Sequence, residues 1–474
     1  MAVISSSSRP VRIPLRSRNR GHGFPWISLA GRWLGYAVLI CVVISLCYPT
    51  ETYDTYMTVS DEVSFRLQGY TEAYSETTDW SFFQNDFKHR FGRLPPASLQ
   101  QWHRYARYHG CLEMDGYQTL HDDLEPYRRQ KRQKHRRYYY EKVISSGIHQ
   151  TDNYMVFQVK NHILTVIAQK CAFDEASIAV IEKNFRWMLT PVVQHTPPLD
   201  AIFFFDLHDN PTRKSNPDSL PIFGTCRMTY WTDDQPTTTI TTDEYSKATQ
   251  LRQPFHPDFM DTSYESSSVL LVPYYWALDV SLFSSSGPAF TQRQDAIVWR
   301  GVTTGQEWGV SPRFQLVDEY GQKKESGVQL DFGFTGVVQN TSAAHTLPPG
   351  TTLAPHMNDA QTQQYKYIMD VDGNAFTSRF PRLLQSGSLL FKSTRFREWY
   401  TERLQPYKHY VPVNYNLSDL VEKLTWAHEH PQMAPRIVQN ADTASKQFFR
   451  RKEMQCYVYR MMLEYNDLFE PTTK

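Results

Sequence analysis

The spacing of apolar residues divides the chain into distinct textures. Residues 1–32 scatter a few apolar side chains among Ser and Arg, too sparsely to pack. Trp33–Tyr48 then runs sixteen residues without a charge and is stopped by Pro49. Glu51–Ser81 is polar, rich in Thr, Ser, Tyr and acids, and has no sustained period, which predicts a stem. Pro95-Pro96 breaks the chain before Ser98, the predicted cap of a helix with Leu99, Trp102, Tyr105 and Ala106 on one face. Further helix is predicted to about Ser145. From Asn153 the apolar runs shorten to strand length. They predict hairpin strands at Tyr154–Gln158 and His162–Ala168 about Lys160-Asn161, then a helix at Glu175–Leu189. Buried strands are predicted at Ala201–Phe205 and Tyr367–Val371, and further strands at Val269–Val272, Asp295–Trp299, Gln329–Asp331 and Gly387–Lys392. This alternation predicts an α/β fold, closed by helices over Leu417–Phe469.

At ~1.5 Å per residue Trp33–Tyr48 covers roughly 24 Å, slightly short of the ~30 Å hydrocarbon core. Six arginines precede it with no lysine or acid, and Glu51 follows it. That charge step predicts a signal anchor with the N-terminus in the cytosol and the bulk of the chain in the lumen. The rival readings are a cleaved signal peptide, for which Ser45-Leu46-Cys47 is a mediocre site, and a buried core helix, which leaves the charge step unexplained.

With 474 residues, 41% of them hydrophobic and 14% aromatic, the chain is long enough for two domains plus extensions. A net charge of +1 leaves no broad basic footprint. The run Arg128–Arg137 follows Asp122, Asp123 and Glu125 in helix-compatible sequence, which predicts a solvated face and no nucleic-acid partner. Cys41 and Cys47 lie in the apolar segment. Cys111, Cys171, Cys226 and Cys456 contain no CxxC pair, which argues against structural zinc and permits two disulfides in any connectivity. Asn340-Thr341-Ser342 and Asn416-Leu417-Ser418 are glycosylation sequons, usable in a lumenal domain.

Gln364–Ser393 carries the densest candidate chemistry. Tyr367–Val371 leads into Asp372-Gly373-Asn374, then Thr377, Ser378 and Arg379 open a predicted helix at Phe380–Leu384. Backbone N–H groups, a helix N-terminus and a guanidinium would converge there, as a phosphate requires. An ordinary βα connection with a capped helix accounts for the same residues. A second glycine-bounded turn, Arg300-Gly301-Val302-Thr303-Thr304-Gly305, follows Asp295–Trp299. Ala201–Phe205 ends in Asp206-Leu207-His208-Asp209-Asn210-Pro211, where open α/β sheets place their ligands. Asp209 fits either a general base or an Asx cap for the Asn210-Pro211 turn. Asp370-Val371-Asp372 has the spacing of a metal-chelating acidic pair, but its second Asp opens the glycine turn, so no metal is assigned.

Several segments together resemble glycosyltransferase family 90, which includes fungal capsule-associated xylosyltransferases and animal protein O-glucosyltransferases. They are GRLPPASLQQW (Gly92–Trp102), DLHDNP (Asp206–Pro211), VWRGVTTG (Val298–Gly305) and YKYIMDVDGNAFTSRFPRLLQSGSLLFKS (Tyr365–Ser393), followed by FREWYTERLQPYKHYVPV (Phe396–Val413). The resemblance implies a GT-B fold, two Rossmann-like domains facing across a cleft. These would be residues 151–292 on the acceptor side and 293–445 on the donor side. Before them would come a cytosolic tail (1–32), a transmembrane anchor (33–49), a stem (50–81) and a helical lead-in (82–150); residues 446–474 would cross back. It further implies metal-independent, inverting transfer from a UDP-sugar, with no cofactor. Asp209 then matches the base position. Arg300, Gly301, Thr303, Thr304, Gly305, Gly373, Asn374, Thr377, Ser378 and Arg379 match the nucleotide-sugar positions. Pro273-Tyr274-Tyr275-Trp276 stands where the glucosyltransferases have an aromatic, Gly-rich, sugar-facing loop. The terminal Pro471-Thr472-Thr473-Lys474 is not a KDEL-like signal. With membrane attachment through residues 33–48, this points to a type II protein of the Golgi (or endoplasmic reticulum) that extends a glycan or glycoprotein with xylose. Protein O-glucosylation from UDP-glucose and an inactive lumenal glycan- or UDP-binding module are the alternatives.

Overall fold

The computed structural model describes residues 76–129, 144, 151, 153–196, 200–208, 221–228, 269–275, 287–305, 311–321, 324–325, 327–338, 347 and 350–469. Outside the described residues lie the tail, the apolar run Trp33–Tyr48, most of the stem and residues 130–137 of the basic run. Asp209 with Asn210 and Pro211, Trp276 and the sequon at Asn340 also lie outside them. Among the described residues no helix is long and apolar enough to cross a membrane.

The lead-in is helical: α1 (Glu76–Phe91), α2 (Leu99–Tyr108) and α3 (Gln118–Arg129). Leu99, Trp102, Tyr105 and Ala106 are buried along α2, as their spacing predicts. Ser98 does not cap it. Its backbone is already helical (φ −59°, ψ −27°) and its side chain makes no cap bond, whereas a capping side chain needs extended backbone angles to reach back. Nor does Arg128 sit on a solvated face: its side chain is 13% exposed and lies 2.8 Å from Glu464.

The chain then forms β1 (Tyr154–Lys160), β2 (Ile163–Lys170), α4 (Glu175–His195), β3 (Asp200–Asp206), β4 (Ile222–Gly224), β5 (Cys226–Met228) and β6 (Val269–Leu271). The first sheet has the order β2-β1-β3-β4-β6. Its β3, β4 and β6 are parallel, while β1 is antiparallel to both neighbours. The hairpin turns through Asn161 and His162 at φ 50° and 64°, the left-handed pair that suits strand twist. Asp174 caps α4, its Oδ1 accepting the Ser177 N–H at 2.9 Å. This helix outruns its predicted end and passes through Pro191 to His195. A proline frees the carbonyl four residues earlier; here that is Trp187, and Gln455 Nε2 donates to its oxygen at 2.9 Å.

The second half contains β7 (Gln294–Val302), α5 (Pro312–Gln315), β8 (Lys324–Glu325), β9 (Val328–Gly336), α6 (Asp359–Thr362) and β10 (Tyr365–Val371). After these come α7 (Phe380–Leu383), β11 (Leu389–Ser393), β12 (Phe396–Glu398), β13 (Val411–Pro412), α8 (Leu420–Glu429) and α9 (Met433–Phe448). The second sheet runs β13-β11-β10-β7-β9-β8 and is parallel except for β8. Alternate residues of a strand face opposite sides. Ile297, Trp299, Tyr367, Met369 and Phe391 enter one core with Leu420 and Leu424 of α8 and Ile437 of α9. Val298, Arg300, Ile368, Asp370 and Lys392 are the alternating positions on the other face. An antiparallel pair, β5 with β12, joins the two halves.

The last helix, α10 (Arg451–Asp467), is buried from Glu453 to Asn466 and packs on α2 and α4. Trp102 Nε1 donates to the Cys456 carbonyl at 2.8 Å, and Cys456 forms a disulfide with Cys111. Among the described residues Cys171 and Cys226 form no disulfide. Arg403 pairs with Glu453 at 2.8 Å. Glu464 meets Arg93 at 2.7 Å and both Arg128 and Arg460 at 2.8 Å. Burial pushes the Glu464 carboxyl up, but these arginines outweigh it and hold the group at about 2.

Glu464→Gln leaves buried arginines without a counter-charge and should cost about 3–5 kcal/mol in urea unfolding near neutral pH. The carboxylate's contribution is complete above its ordinary value of 4.5 and is lost as pH falls towards about 2. The deficit of the variant should therefore shrink across that window. A deficit independent of pH there would show that the ion network contributes nothing.

Candidate active-site cleft

Strands β7 and β10 are parallel neighbours, and each leaves the sheet through a glycine turn at its carboxyl end. The turns at 301–305 and 372–378 therefore lie side by side. With Tyr274 and residues 356–360 they border a cleft of about 1000 Å³.

The turns are stitched to one another. Gly305 N–H donates to Asn374 Oδ1 at 2.9 Å. Gly305 has φ +108°, and a Cβ there would lie 2.7 Å from the Gly373 carbonyl oxygen. Arg313, from α5, completes the join. Its Nε donates to Asp372 O at 2.8 Å, and its Nη1 to Val302 O at 3.0 Å and Thr304 Oγ1 at 2.5 Å. Gly373 leaves room for this guanidinium, because a Cβ there would sit 2.8 Å from Nη2. Arg313 is only 8% exposed and lines the cleft. Among the described residues it hydrogen-bonds neutral oxygens alone. Burial, then repulsion from Arg379, lowers its pKa to about 10, which still leaves it charged at neutral pH.

Arg379 donates to the Arg300 carbonyl at 2.7 Å. Its Nη2 is 3.9 Å from Asp370 Oδ1 and its side chain is 43% exposed, so its charge reaches the cleft. Arg300 also lines the cleft, but its charge is largely compensated. Its Nη2 lies 2.8 Å from Asp331 Oδ1, and Nη1 donates to the carbonyls of Asp331 and Trp299 at 2.8 and 3.0 Å. The Tyr365 hydroxyl holds the other oxygen of Asp331 at 2.6 Å.

Thr304, Gly373, Asn374, Thr377 and Ser378 also border the cleft. Thr303 turns inward and exchanges hydrogen bonds with the Val338 backbone at 3.1 and 3.0 Å. Gly301 makes room for the Trp299 indole, 2.5 Å from a Cβ built there. The Gly373 N–H is taken by Ala375 O at 2.8 Å. The amides of Gly305 and Gly373, expected as anion donors, are thus committed within the turns. The expected helix dipole is also missing, because α7 spans four residues with Pro381 in its first turn, too few aligned peptides to build one. Positive charge in the cleft comes from guanidinium groups.

Asp370 and Asp372 are fully buried behind the cleft wall. Asp372 Oδ2 accepts the Arg395 N–H at 2.7 Å, and Asp370 Oδ2 lies 3.3 Å from Lys392 Nζ. Among the described residues no group of His, Cys, Asp and Glu is arranged to hold a metal. At the end of β3, Asp206 is turned inward and accepts from Thr151 Oγ1 at 2.9 Å and His208 N–H at 3.0 Å. Asp209 lies immediately beyond the described residues. The sequence pattern singles out neither Arg313 nor Asp331. Only the Ser311-Pro312 helix start, which fixes where Arg313 projects, could have drawn attention to it.

Gly305→Ala forces a Cβ into both a left-handed backbone and the Gly373 carbonyl, and should cost more than the ~1–2 kcal/mol of a left-handed alanine alone. Gly92 (φ +69°) has open space around its missing Cβ, so Gly92→Ala supplies the backbone cost without the clash. Equal losses in urea unfolding would show that the turns are not in close contact.

Residues 276–474 match the family model described as Glycosyl transferase family 90. Protein O-glucosyltransferase 3 of Rattus norvegicus is 32% identical over 188 residues, 39% of this chain and 34% of that protein. Protein O-glucosyltransferase 2 of Danio rerio is 28% identical over 191 residues, 40% of this chain and 36% of that protein. O-glucosyltransferase LpsA of Dichelobacter nodosus is 26% identical over 184 residues, 38% of this chain and 52% of that protein. The chain thus spans about a third of the length of the two animal relatives it matches. Gly92–Trp102 and Asp206–Pro211 lie outside the family match, whereas both turns of the cleft lie inside it. Both turns of the cleft thus lie in the part of the chain, residues 276–474, that is similar to glycosyl transferase family 90.

Proposed function

We propose that the chain takes a UDP-sugar into this cleft and transfers the sugar to a hydroxyl of a glycan or glycoprotein, its two sheets forming the halves of a GT-B fold. Arg313 carries the reading. Among the described residues this nearly buried guanidinium hydrogen-bonds only neutral oxygens, and Asp370 and Asp372 offset its charge without bonding it; a diphosphate between the turns would give it a directly bonded anion. In the reaction the acceptor oxygen bonds to the anomeric carbon from the face opposite UDP, and the bond to the diphosphate oxygen breaks. The electron pair passes to the diphosphate, where Arg379 and Arg313 stabilise it without a metal. Asp209 takes the acceptor proton as that oxygen attacks. The rings of Tyr274 and Phe376, edge to face at 5.1 Å, form an apolar border suited to a sugar.

The relatives named O-glucosyltransferases favour UDP-glucose as the donor over the UDP-xylose expected from the sequence. Xylose is the second reading, supported by the fungal-like segment Gly92–Trp102. The disulfide between Cys111 and Cys456 agrees with an oxidising lumen, and so with anchoring through residues 33–48 in the Golgi or endoplasmic reticulum.

UDP release by the full chain should be faster with UDP-glucose than with UDP-xylose; the reverse order restores the xylose reading, and release from neither leaves the inactive binding module. Arg379→Ala should weaken UDP binding about a hundredfold, the equivalent of ~3 kcal/mol for one preorganised donor, with or without divalent metal. Asp209→Asn should abolish transfer and keep UDP binding. Activity lost to chelation and restored by manganese would overturn the guanidinium clamp as sufficient.

A further inference from the structure

Behind the cleft wall lies a second charge cluster that the transfer reaction does not use. It comprises Asp370 and Asp372 at the end of β10, Lys392 on β11, Glu398 on β12 and Tyr400, all buried. Asp370 stands opposite Lys392 in the strand register, 3.3 Å from its Nζ. Among the described residues the Oδ1 of Asp370 makes no hydrogen bond, and it faces Arg379 Nη2 at 3.9 Å. Asp372 accepts from the Arg395 N–H and from Thr394, yet its Oδ1 is also unbonded. Glu398 accepts from the Tyr400 hydroxyl at 2.5 Å.

The charges do not balance within the cluster. Three carboxylates surround one ammonium, and Lys392 Nζ also lies 3.9 Å from the centre of the Phe380 ring. Among the described residues the other cations facing the cluster are Arg313 and Arg379 at the cleft and Arg395, whose guanidinium stacks on Tyr415 at 3.8 Å. Burial, followed by the neighbouring carboxylates, keeps the Tyr400 and Tyr415 hydroxyls protonated. Burial pushes Asp372 up to about 7 and Glu398 up to about 8, and Lys392 only partly offsets it.

We propose that Asp372 and Glu398 hold a proton between them beneath the cleft, and that an anion bound by Arg313 and Arg379 draws additional proton into this pair. The field of these two guanidiniums helps to keep the carboxylates ionised while the cleft is empty. A diphosphate cancels that field from the other side, so the carboxylates become more basic and nucleotide binding couples to pH. This rests on the nucleotide reading of the cleft.

Calorimetric titration of UDP into the full chain at pH 7.5–8, in two buffers of different ionisation enthalpy, counts the protons exchanged. The diphosphate is fully ionised in that range, so uptake reports the protein. We expect uptake of about half a proton per UDP, and affinity that falls about threefold per pH unit. Uridine, which lacks the phosphates, should exchange none. Asp372→Asn should abolish most of the uptake, with Glu398→Gln as the second variant should the first not fold. UDP binding without uptake overturns the inference. So does equal uptake with uridine, or uptake undiminished in a folded variant; the wild-type and uridine arms decide the matter if neither variant folds. Failure of UDP to bind at any pH overturns the nucleotide reading itself, and the inference with it.

Discussion

A helix that buries Glu453 and Glu464 obliges the rest of the chain to bring cations to it. Arg403 comes from the segment after β12, Arg93 and Arg128 from the lead-in, and Arg460 from the helix itself. Each carboxylate inside α10 would be prohibitive alone, because burial removes solvation worth several kcal/mol per ion. Paired, they make α10 the point where the lead-in and the second half converge. Hydrophobic packing alone does not fix such a meeting so narrowly, since apolar faces slide while a guanidinium must find its carboxylate. The Trp102 bond and the Cys111–Cys456 bridge fasten the same helix from the side of α2.

That constraint reaches the cleft through a short path. Arg403 lies five residues beyond Glu398, and β12, which carries Glu398, pairs with β5 of the first half. The ribbon and the arginine together hold the segment that closes the cleft from behind. In front, the glycines do different work from the one their pattern predicts. Gly305 and Gly373 bring two turns into contact and make space for Arg313, so their amides are not left for a ligand. The site is therefore preorganised by side-chain cations set in stitched backbone.

What the sequence discloses follows the range of the forces involved. Tyr367–Val371 and Asp295–Trp299 read as strands because short apolar runs ending before a glycine turn are local signals. The hairpin about Lys160-Asn161 is legible for the same reason. The passage of α4 through Pro191 is not, because the donor that satisfies Trp187 is Gln455, 268 residues away in sequence. Ser98 matches a capping pattern, yet its backbone is already helical when the side chain would have to turn back. Arg300 and Arg379 stand out at glycine-containing strand-to-turn segments, but their unequal roles depend on Asp331, a residue that becomes a neighbour only when β9 pairs with β7.

The placement of acids behind cations has its own logic. Arg313 and Arg379 repel one another, and an empty cleft with two uncompensated guanidiniums would favour opening of the turns that carry them. Asp370, 3.9 Å from Arg379, supplies part of the missing charge without lining the cleft, so it stabilises the unliganded arrangement and leaves the binding surface positive. Carboxylates in the cleft itself would neutralise the clamp and compete with any anion for it. Set one layer deeper and tied to Lys392, they reduce the repulsion while the guanidiniums keep their donors turned outward. The cost is a buried excess of negative charge, which a proton can relieve.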